Sequence, residues 1–171
     1  MKYFKKIVGD RIYLSPRNSE DVEKFTEWLN DFETTDYLGR SGILTTLDGE
    51  KNYLEKNSSP EASFVIVTIE DNEMIGTVSL EGIDHINRCA TLGIFIGNKD
   101  FRSKGYGTEA VQLILEYGFK YLNLKNIKKH RALVMQCSKF IILYLDLVHQ
   151  NLLEENVSSH RFLILILEIF D

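Results

Sequence analysis

Residues 91–122 constrain the fold more than any other part of this sequence. They comprise an apolar segment, a glycine-containing loop and a long amphipathic segment, which read TLGIFIG, NKDFRSKGYG and TEAVQLILEYGFKYL. A strand, a glycine loop and a helix in this order form a phosphate-binding arrangement, because backbone N–H groups converge in the loop and the helix N-terminus carries a partial positive charge. Arg102 and Lys104 add full charges, so the sequence predicts an anion site at this junction.

The amphipathic segment has the spacing of a helix with one buried face. Its apolar residues recur at three- and four-residue intervals, at Ala110, Val111, Ile114, Leu115, Gly118, Tyr121 and Leu122. Thr108 is the predicted N-cap, and Glu109 suits the positive end of the helix dipole. A core helix after an ordinary loop is the simpler alternative. Two glycines and two cations within residues 102–107 favour anion binding instead.

Three phosphate-loop patterns compete for this segment. The Walker A pattern is not present in it. The dinucleotide pattern G-x-G-x-x-G/A is present at residues 105–110, but seven residues, 98–104, separate it from the strand. That pattern also requires an acidic residue about twenty positions further on, where this chain has the basic run Lys125 to His130. A dinucleotide site is therefore disfavoured.

The third pattern, R-x-x-G-x-G at residues 102–107, resembles the acetyl-CoA loop of the GCN5-related N-acetyltransferases (GNAT family). The resemblance covers residues 74–124 and is greatest to the branch with the ribosomal-protein N-terminal and spermidine acetyltransferases. The matching segments are Ile75 to Leu80, Asn87 to Ala90, Leu92 to Gly97, Gly105 to Ala110 and Tyr117 to Phe119.

The resemblance implies an α/β (α+β) fold, in which helices flank a mixed, mostly antiparallel central sheet. It implies acetyl-CoA as co-substrate. Phe95 and Ile96 match the strand position whose free backbone groups pair with the pantetheine arm in the family. The residues implied at the pyrophosphate are Arg102, Ser103, Lys104, Gly105, Tyr106, Gly107 and Thr108.

Composition narrows the functional class further. At 171 residues, 44% hydrophobic and with no linker-like run, the chain is expected to form a single domain spanning residues 1–171. Its net charge of −5 argues against a nucleic-acid partner and is compatible with a cationic amine substrate. Two distant cysteines support neither a disulfide framework nor a metal site. The cysteines are expected to be reduced thiols of a cytoplasmic protein. Because no window reaches the length of a membrane span, we expect no membrane partner.

Patterning outside the glycine loop predicts the remaining elements. Strands are expected at Arg11 to Leu14, Phe64 to Ile69, Met74 to Leu80 and Arg88 to Gly97, and helices after Asn18 or Ser19 and at Leu47 to Lys56. Three consecutive antiparallel strands before one long helix argue against a doubly wound dinucleotide fold. Residues 31–42 include Glu33, Asp36, Tyr37 and Arg40. The resemblance implies that this region helps to form the acceptor pocket, where its acidic side chains could meet a substrate amine. A solvated loop is the simpler interpretation.

The chemistry implied by the resemblance is direct acetyl transfer, which needs a base for the amine, polarisation of the thioester oxygen and an acid for the departing thiolate. Many relatives carry an acidic residue within A-E-x-G, but here Thr91 occupies that place. Glu81 and Asp84 are candidate substitutes that could act through a water, or they are solvent-facing turn charges. Tyr144 is the candidate acid, although Val148 and His149 replace the Gly-Phe expected after it.

The resemblance is strong to about Ile127 and weak beyond it. Either the tail has diverged, or a shifted reading frame encodes part of it, a hypothesis that sequencing the gene would decide. The expected function is an acetyl-CoA-dependent N-acetyltransferase acting on a primary amine of a protein N-terminus, a polyamine or another small molecule. A catalytically impaired acyl-CoA-binding protein is the alternative, and a nucleotide-dependent oxidoreductase is a distant third. Family members often form homodimers, but no sequence feature decides this here.

Overall fold

A curled sheet, of which the described residues form six strands, lies at the centre of the fold. The computed structural model describes residues 2–36, 38, 40–56 and 62–129. In this part of the chain the strands are β1 (Ile7–Val8), β2 (Ile12–Pro16), β3 (Ser63–Thr68), β4 (Met74–Asp84), β5 (Cys89–Ile96) and β6 (Asn126–Lys129). The α-helices are α1 (Val22–Asn30), α2 (Phe32–Thr35), α3 (Leu47–Lys56) and α4 (Tyr106–Lys120). Two 3-10 turns, Ser19–Asp21 and Lys99–Phe101, precede α1 and α4.

The strands are arranged in sequence order across the sheet. Each pairs antiparallel with the next, except that β5 and β6 are parallel and α4 connects them. A parallel pair needs such a crossover, whereas antiparallel neighbours need only a turn. The predicted mixed, mostly antiparallel sheet flanked by helices is therefore confirmed.

The central strands are apolar on both faces because a separate layer covers each face. Ile12, Leu14, Phe64 and Ile66 pack in the cluster that also contains α4. Their neighbours Tyr13, Val65 and Val67 point the other way, into a cluster with Phe25 and Trp28 of α1 and Leu54 of α3. Since side chains alternate along a strand, one short apolar run serves both clusters. The result is three layers, with the sheet in the middle.

Most predicted elements are confirmed with small shifts of their ends. Helix α3 has the predicted bounds, and β3, β4 and β5 form the predicted antiparallel series before the glycine loop. Asn18 does act as a cap, but its side chain caps the 3-10 turn that precedes α1. Two short strands were not predicted. One is β1, a two-residue strand with little sequence signal, and the other is β6, whose lysines obscure an apolar pattern.

The end of β5 approaches α1 closely at Gly97. A Cβ placed on Gly97 would lie 2.0 Å from Cδ2 of Trp28, so only glycine allows the indole ring to reach this position. Trp28 also contacts Phe95 edge-on, with ring centroids 6.0 Å apart. This contact sets the distance between α1 and the strand that leads into the glycine loop.

We expect Gly97→Ala to lower the free energy of unfolding by about 1–3 kcal/mol, because the buried indole must move to admit a methyl group. Urea denaturation of the purified variant measures this loss. Gly42→Ala is the matched control, since a Cβ there meets nothing within 4 Å. Equal stability of the two variants would show that the Trp28 contact is not tightly packed.

Candidate active site

The loop between β5 and α4 changes direction through two residues with left-handed backbone. Gly97 and Asn98 first donate their N–H groups to the Ile75 carbonyl, and the Asn98 side chain caps the following 3-10 turn. Ser103 (φ 57°) and Gly105 (φ 82°) then turn the chain into α4. Glycine adopts this conformation without cost, whereas serine adopts it less readily. The tight turn places the loop directly over the N-terminus of α4.

Helix α4 begins earlier than predicted. Its N-cap is Gly105 rather than Thr108, so Tyr106, Gly107 and Thr108 form the first helical turn. The N–H groups of residues 103–108 donate to no other group within the described residues, whereas Glu109 N–H bonds the Gly105 carbonyl. We call these six N–H groups the loop amides. The first N–H groups of a helix lack intrahelical partners, and together with the dipole they suit an anion.

Arg102 joins the loop to β5 and α2. Its guanidinium donates to the carbonyls of Ile96 (3.0 Å) and Gly97 (3.1 Å) and to the Thr34 hydroxyl (2.6 Å). A carboxylate oxygen of Glu33 lies 3.6 Å from Nη1. The side chain thus satisfies carbonyls at the strand end, where the sheet no longer supplies donors. Contact between the Arg102 charge and a bound anion stays a prediction. The Lys104 side chain is exposed.

On its other side, the loop is contacted by Arg11, which no sequence pattern indicated. Arg11 Nη1 donates to the Lys104 carbonyl at 3.0 Å, and Nε donates to Glu109 at 3.1 Å. Glu109 also accepts the backbone N–H groups of Arg11 (2.8 Å) and Ile12 (3.2 Å). Glu109 therefore attaches α4 to the β1–β2 hairpin, in addition to lying at the positive helix end. The two partners are 98 residues apart in sequence, so no local motif could have revealed them.

Phe95 and Ile96, the predicted pantetheine residues, lie at the end of β5. Phe95 contacts Trp28 on one face of the sheet, and Ile96 packs against the α4 cluster on the other. Strand β6 pairs with Cys89 to Leu92 only, and the described part of β6 ends at Lys129, opposite Leu92. Within that part of the chain, residues 93–96 pair only with β4. Pantetheine binding here remains a prediction.

Glu81 lies directly across from Thr91, because the two residues are partners in the β4–β5 register. Its carboxylate accepts a hydrogen bond from Ser79 Oγ at 3.1 Å and lies over Gly93, whose added Cβ would meet Glu81 Oε1 at 3.1 Å. Strand alternation puts Glu81 and Thr91 on the same face as Phe95. A carboxylate thus occupies the neighbourhood of residue 91 although residue 91 itself is threonine.

Asp84, the second candidate base, has a structural role in the turn after β4. Its carboxylate accepts the N–H groups of Asn87 (2.8 Å) and Ile86 (2.9 Å) and the side-chain amide of Asn87 (2.7 Å). These hydrogen bonds, those from Asn87 foremost, hold the pKa of Asp84 below its usual value. Stabilisation of the charged form makes the group a weaker proton acceptor. The geometry therefore favours Glu81 over Asp84.

Comparison with known proteins identifies the family. Residues 11–162 match the family model described as "Acetyltransferase (GNAT) domain". This chain is a GNAT family member. A probable N-acetyltransferase of Bacillus subtilis (strain 168) is 32% identical over 131 residues, covering 70% of this chain and 71% of the relative. A spermidine N(1)-acetyltransferase of Escherichia coli (strain K12) is 41% identical over 54 residues, or 32% of this chain and 28% of that protein.

The GNAT fold is also evident from solved structures. A spermidine N-acetyltransferase of Vibrio cholerae, solved in complex with CoA and spermine, superposes with a TM-score of 0.68 at 24% identity. The match covers 81% of this chain and 80% of that one. At this identity the likeness establishes the fold, which agrees with the strand order and the strand–loop–helix junction described above.

The acidic side chains of the α2 region are largely paired. Glu33 lies 2.8 Å from Lys99 Nζ, which also contacts Asp31 at 3.2 Å, and Asp36 accepts a hydrogen bond from the Ser41 hydroxyl. Arg40 is exposed. Binding of an acceptor amine by Glu33 and Asp36 stays a prediction. These carboxylates would have to contact the amine in addition to the partners described here.

Some of the predicted features lie outside the described residues or are covered by them only in part. Tyr144, the candidate acid, and Tyr37 lie outside the described residues. Within residues 2–36, 38, 40–56 and 62–129, no cluster of three His, Cys, Asp or Glu side chains has a metal-binding arrangement. Across those same ranges, no helix combines the length and apolar character needed to cross a membrane.

We expect Asp31→Asn to lower the free energy of unfolding at pH 7 by about 0.5–1 kcal/mol, because the amide loses the charge but keeps the helix cap. Hydrogen bonding from Thr34, and then contact with Lys99, lowers the pKa of Asp31. The charge contribution is therefore present above the unfolded pKa, and it is lost as pH falls through the folded pKa.

Denaturation of both proteins across pH 2–7 measures the effect, with the exposed Asp71→Asn as control. The stability difference between wild type and Asp31→Asn should vanish at the acid end of the series. A difference that persisted unchanged there would contradict the electrostatic origin of the stabilisation.

Proposed function

We propose that this GNAT family member is an acetyl-CoA-dependent N-acetyltransferase that transfers the acetyl group directly to a primary amine. The observation that carries the proposal is the set of loop amides, which donate to no acceptor in the described residues. They lie at a strand–loop–helix junction within a matched acetyltransferase domain. Acetyl transfer is the activity of the family, and the fold is shared with a protein solved in complex with CoA and spermine.

In this proposal, the residues of the junction bind the CoA portion of the co-substrate. The loop amides of Ser103 to Thr108 would receive the pyrophosphate, with Lys104 adding charge from its exposed side chain. Arg102 would contribute through the rigidity that its side-chain hydrogen bonds give to the β5 end, because its own N–H donates to the Lys99 carbonyl. Phe95 and Ile96 would contact the pantetheine arm, and acetyl-CoA would supply the acetyl thioester.

Glu81 is the proposed general base for the amine, acting directly or through one water. Its carboxylate is exposed, lies on the strand face shared with Phe95 and Thr91, and is oriented by the Ser79 hydroxyl. A cross-strand neighbour can replace a missing side chain because directly paired residues on one face have Cβ atoms about 5 Å apart. Tyr144 is proposed as the acid for the thiolate on sequence grounds alone.

The acceptor is proposed to be a small primary amine, with polyamines as the first class to test. The similar proteins include spermidine acetyltransferases of Escherichia coli and Vibrio cholerae, and the latter is solved in complex with CoA and spermine. The net charge of −5 is compatible with a cationic acceptor. A protein N-terminus is the other acceptor class that the family resemblance indicates.

Incubation of the purified protein with acetyl-CoA and either spermidine or an N-terminal peptide tests the proposal, with release of free CoA thiol as the readout. We expect amine-dependent thiol release. Thr91 at the usual acidic position favours one alternative, a catalytically impaired acyl-CoA-binding protein, which would bind acetyl-CoA without turnover. A folded protein that neither binds acetyl-CoA nor releases thiol would contradict both.

We expect Glu81→Gln to lower kcat about 100-fold or more with little change in the KM for acetyl-CoA, because glutamine keeps the Ser79 contact but cannot accept a proton. Steady-state kinetics measure this, with Asp84→Asn as the matched comparison. Loss of turnover in Asp84→Asn, with Glu81→Gln unaffected, would reverse the assignment of the base.

A further inference from the structure

We infer that Arg11 is a positioning residue for the acetyl-CoA loop: its guanidinium fixes the orientation of the loop amides from outside the binding surface. This inference rests on the proposed function of that loop. Arg11 lies in the turn between β1 and β2, far from the glycine motif in sequence. Its side chain is half exposed and bonded to the loop backbone.

The contact with the Lys104 carbonyl controls the following amide. A trans peptide group is planar, so its C=O and the next N–H point in opposite directions. Arg11 Nη1 accordingly fixes the whole Lys104–Gly105 peptide plane when it donates to the Lys104 oxygen at 3.0 Å. With the carbonyl directed to Arg11, the Gly105 N–H is directed to the opposite side. Gly105 is both a loop amide and the N-cap of α4.

The guanidinium is itself fixed by two further contacts. Nε donates to Glu109 at 3.1 Å, and the guanidinium carbon lies 4.5 Å from the centroid of the Tyr106 ring. Glu109 is mostly buried and is further oriented by the backbone N–H groups of Arg11 and Ile12. Arg11 therefore meets the loop at a carbonyl, an aromatic ring and a carboxylate, all within residues 104–109.

Close packing at two glycines permits this arrangement. A Cβ on Gly9 would lie 2.6 Å from Glu109 Oε1, so a larger residue there would displace the carboxylate that bonds Arg11. A Cβ on Gly105 would lie 3.1 Å from Arg11 Nη2, in addition to the strain of its positive φ. The absence of a side chain at Gly9 and at Gly105 thus leaves room for Arg11 and Glu109.

The geometry requires arginine rather than any cation. A guanidinium presents donors in a planar fork, so that Nη1 and Nε can bond different acceptors while the plane stacks on a ring. A lysine ammonium could pair with Glu109 but has no second, fixed donor for the Lys104 carbonyl. Because half-exposed ion pairs contribute little to stability, we expect the main effect of Arg11 on ligand binding rather than on folding.

The test is calorimetric titration of acetyl-CoA into wild type, Arg11→Met and Arg11→Lys, with thermal unfolding of each protein measured without ligand. Arg88→Met is the matched control. Arg88 also donates to a backbone carbonyl, that of Asn123 at 2.6 Å. This contact lies beyond the C-terminal end of α4, at the opposite end from the loop amides. Pantetheine, which lacks the pyrophosphate, serves as the second ligand.

We expect the Kd for acetyl-CoA to rise about tenfold in Arg11→Met and in Arg11→Lys, the size of effect that one charge-assisted hydrogen bond gives. The affinity for pantetheine and the affinity of Arg88→Met for acetyl-CoA should stay at the wild-type values. Arg11→Lys should unfold at the wild-type temperature, which separates the loss of binding from a loss of stability.

Wild-type affinity for acetyl-CoA in Arg11→Lys would overturn the inference, whether or not Arg11→Met folds. Equal losses for acetyl-CoA and pantetheine would also overturn it, because the effect would then not concern the loop amides. A folded wild-type protein that does not bind acetyl-CoA would instead refute the proposed function itself.

Discussion

The hydrogen bonds of Arg102 connect the parts of this protein that an acetyltransferase must align. Its guanidinium donates to the carbonyls of Ile96, the last residue of β5, and of Gly97, which follows it. It also donates to the buried Thr34 hydroxyl, so one side chain joins the strand end, the loop and α2. Backbone carbonyls at a strand end must find donors once the sheet pairing ends. Arg102 supplies these donors, so the N–H groups of the loop amides are not needed to satisfy the carbonyls. Arg11 contacts the loop from the other side, so two arginines restrain it.

The candidate base depends on strand register more than on any single motif. Glu81 pairs with Thr91, and the register shifts immediately afterwards, between Glu81 and Asp84, where Gly82 has a positive φ. A slip of one residue would turn Glu81 to the face covered by α4. The bulge thus ends the regular pairing of β4 with β5 just beyond Glu81. Asp84 lies beyond the bulge, and its carboxylate accepts N–H groups of the turn that follows.

Local patterns were sufficient to predict the junction and most elements. The apolar spacing of α4, the alternation of β3 and β4 and the glycine loop are all readable from neighbouring residues. Features that depend on distant partners were missed, since Arg11 and Glu109 are 98 residues apart and β6 is defined only by its pairing with β5. The sequence predicts a late start of α4 because Thr108 is a good N-cap residue, but the left-handed Gly105 permits the helix to begin at Tyr106.

The proposed function depends on binding of the CoA pyrophosphate by the loop amides. The most direct measurement is a titration of the isotope-labelled protein with CoA, monitored through the backbone amide resonances. We expect the largest shifts at the amides of residues 103–108, which include Gly105 and Gly107. Unshifted loop amides in a folded protein, or large shifts confined to other elements, would contradict the proposed function.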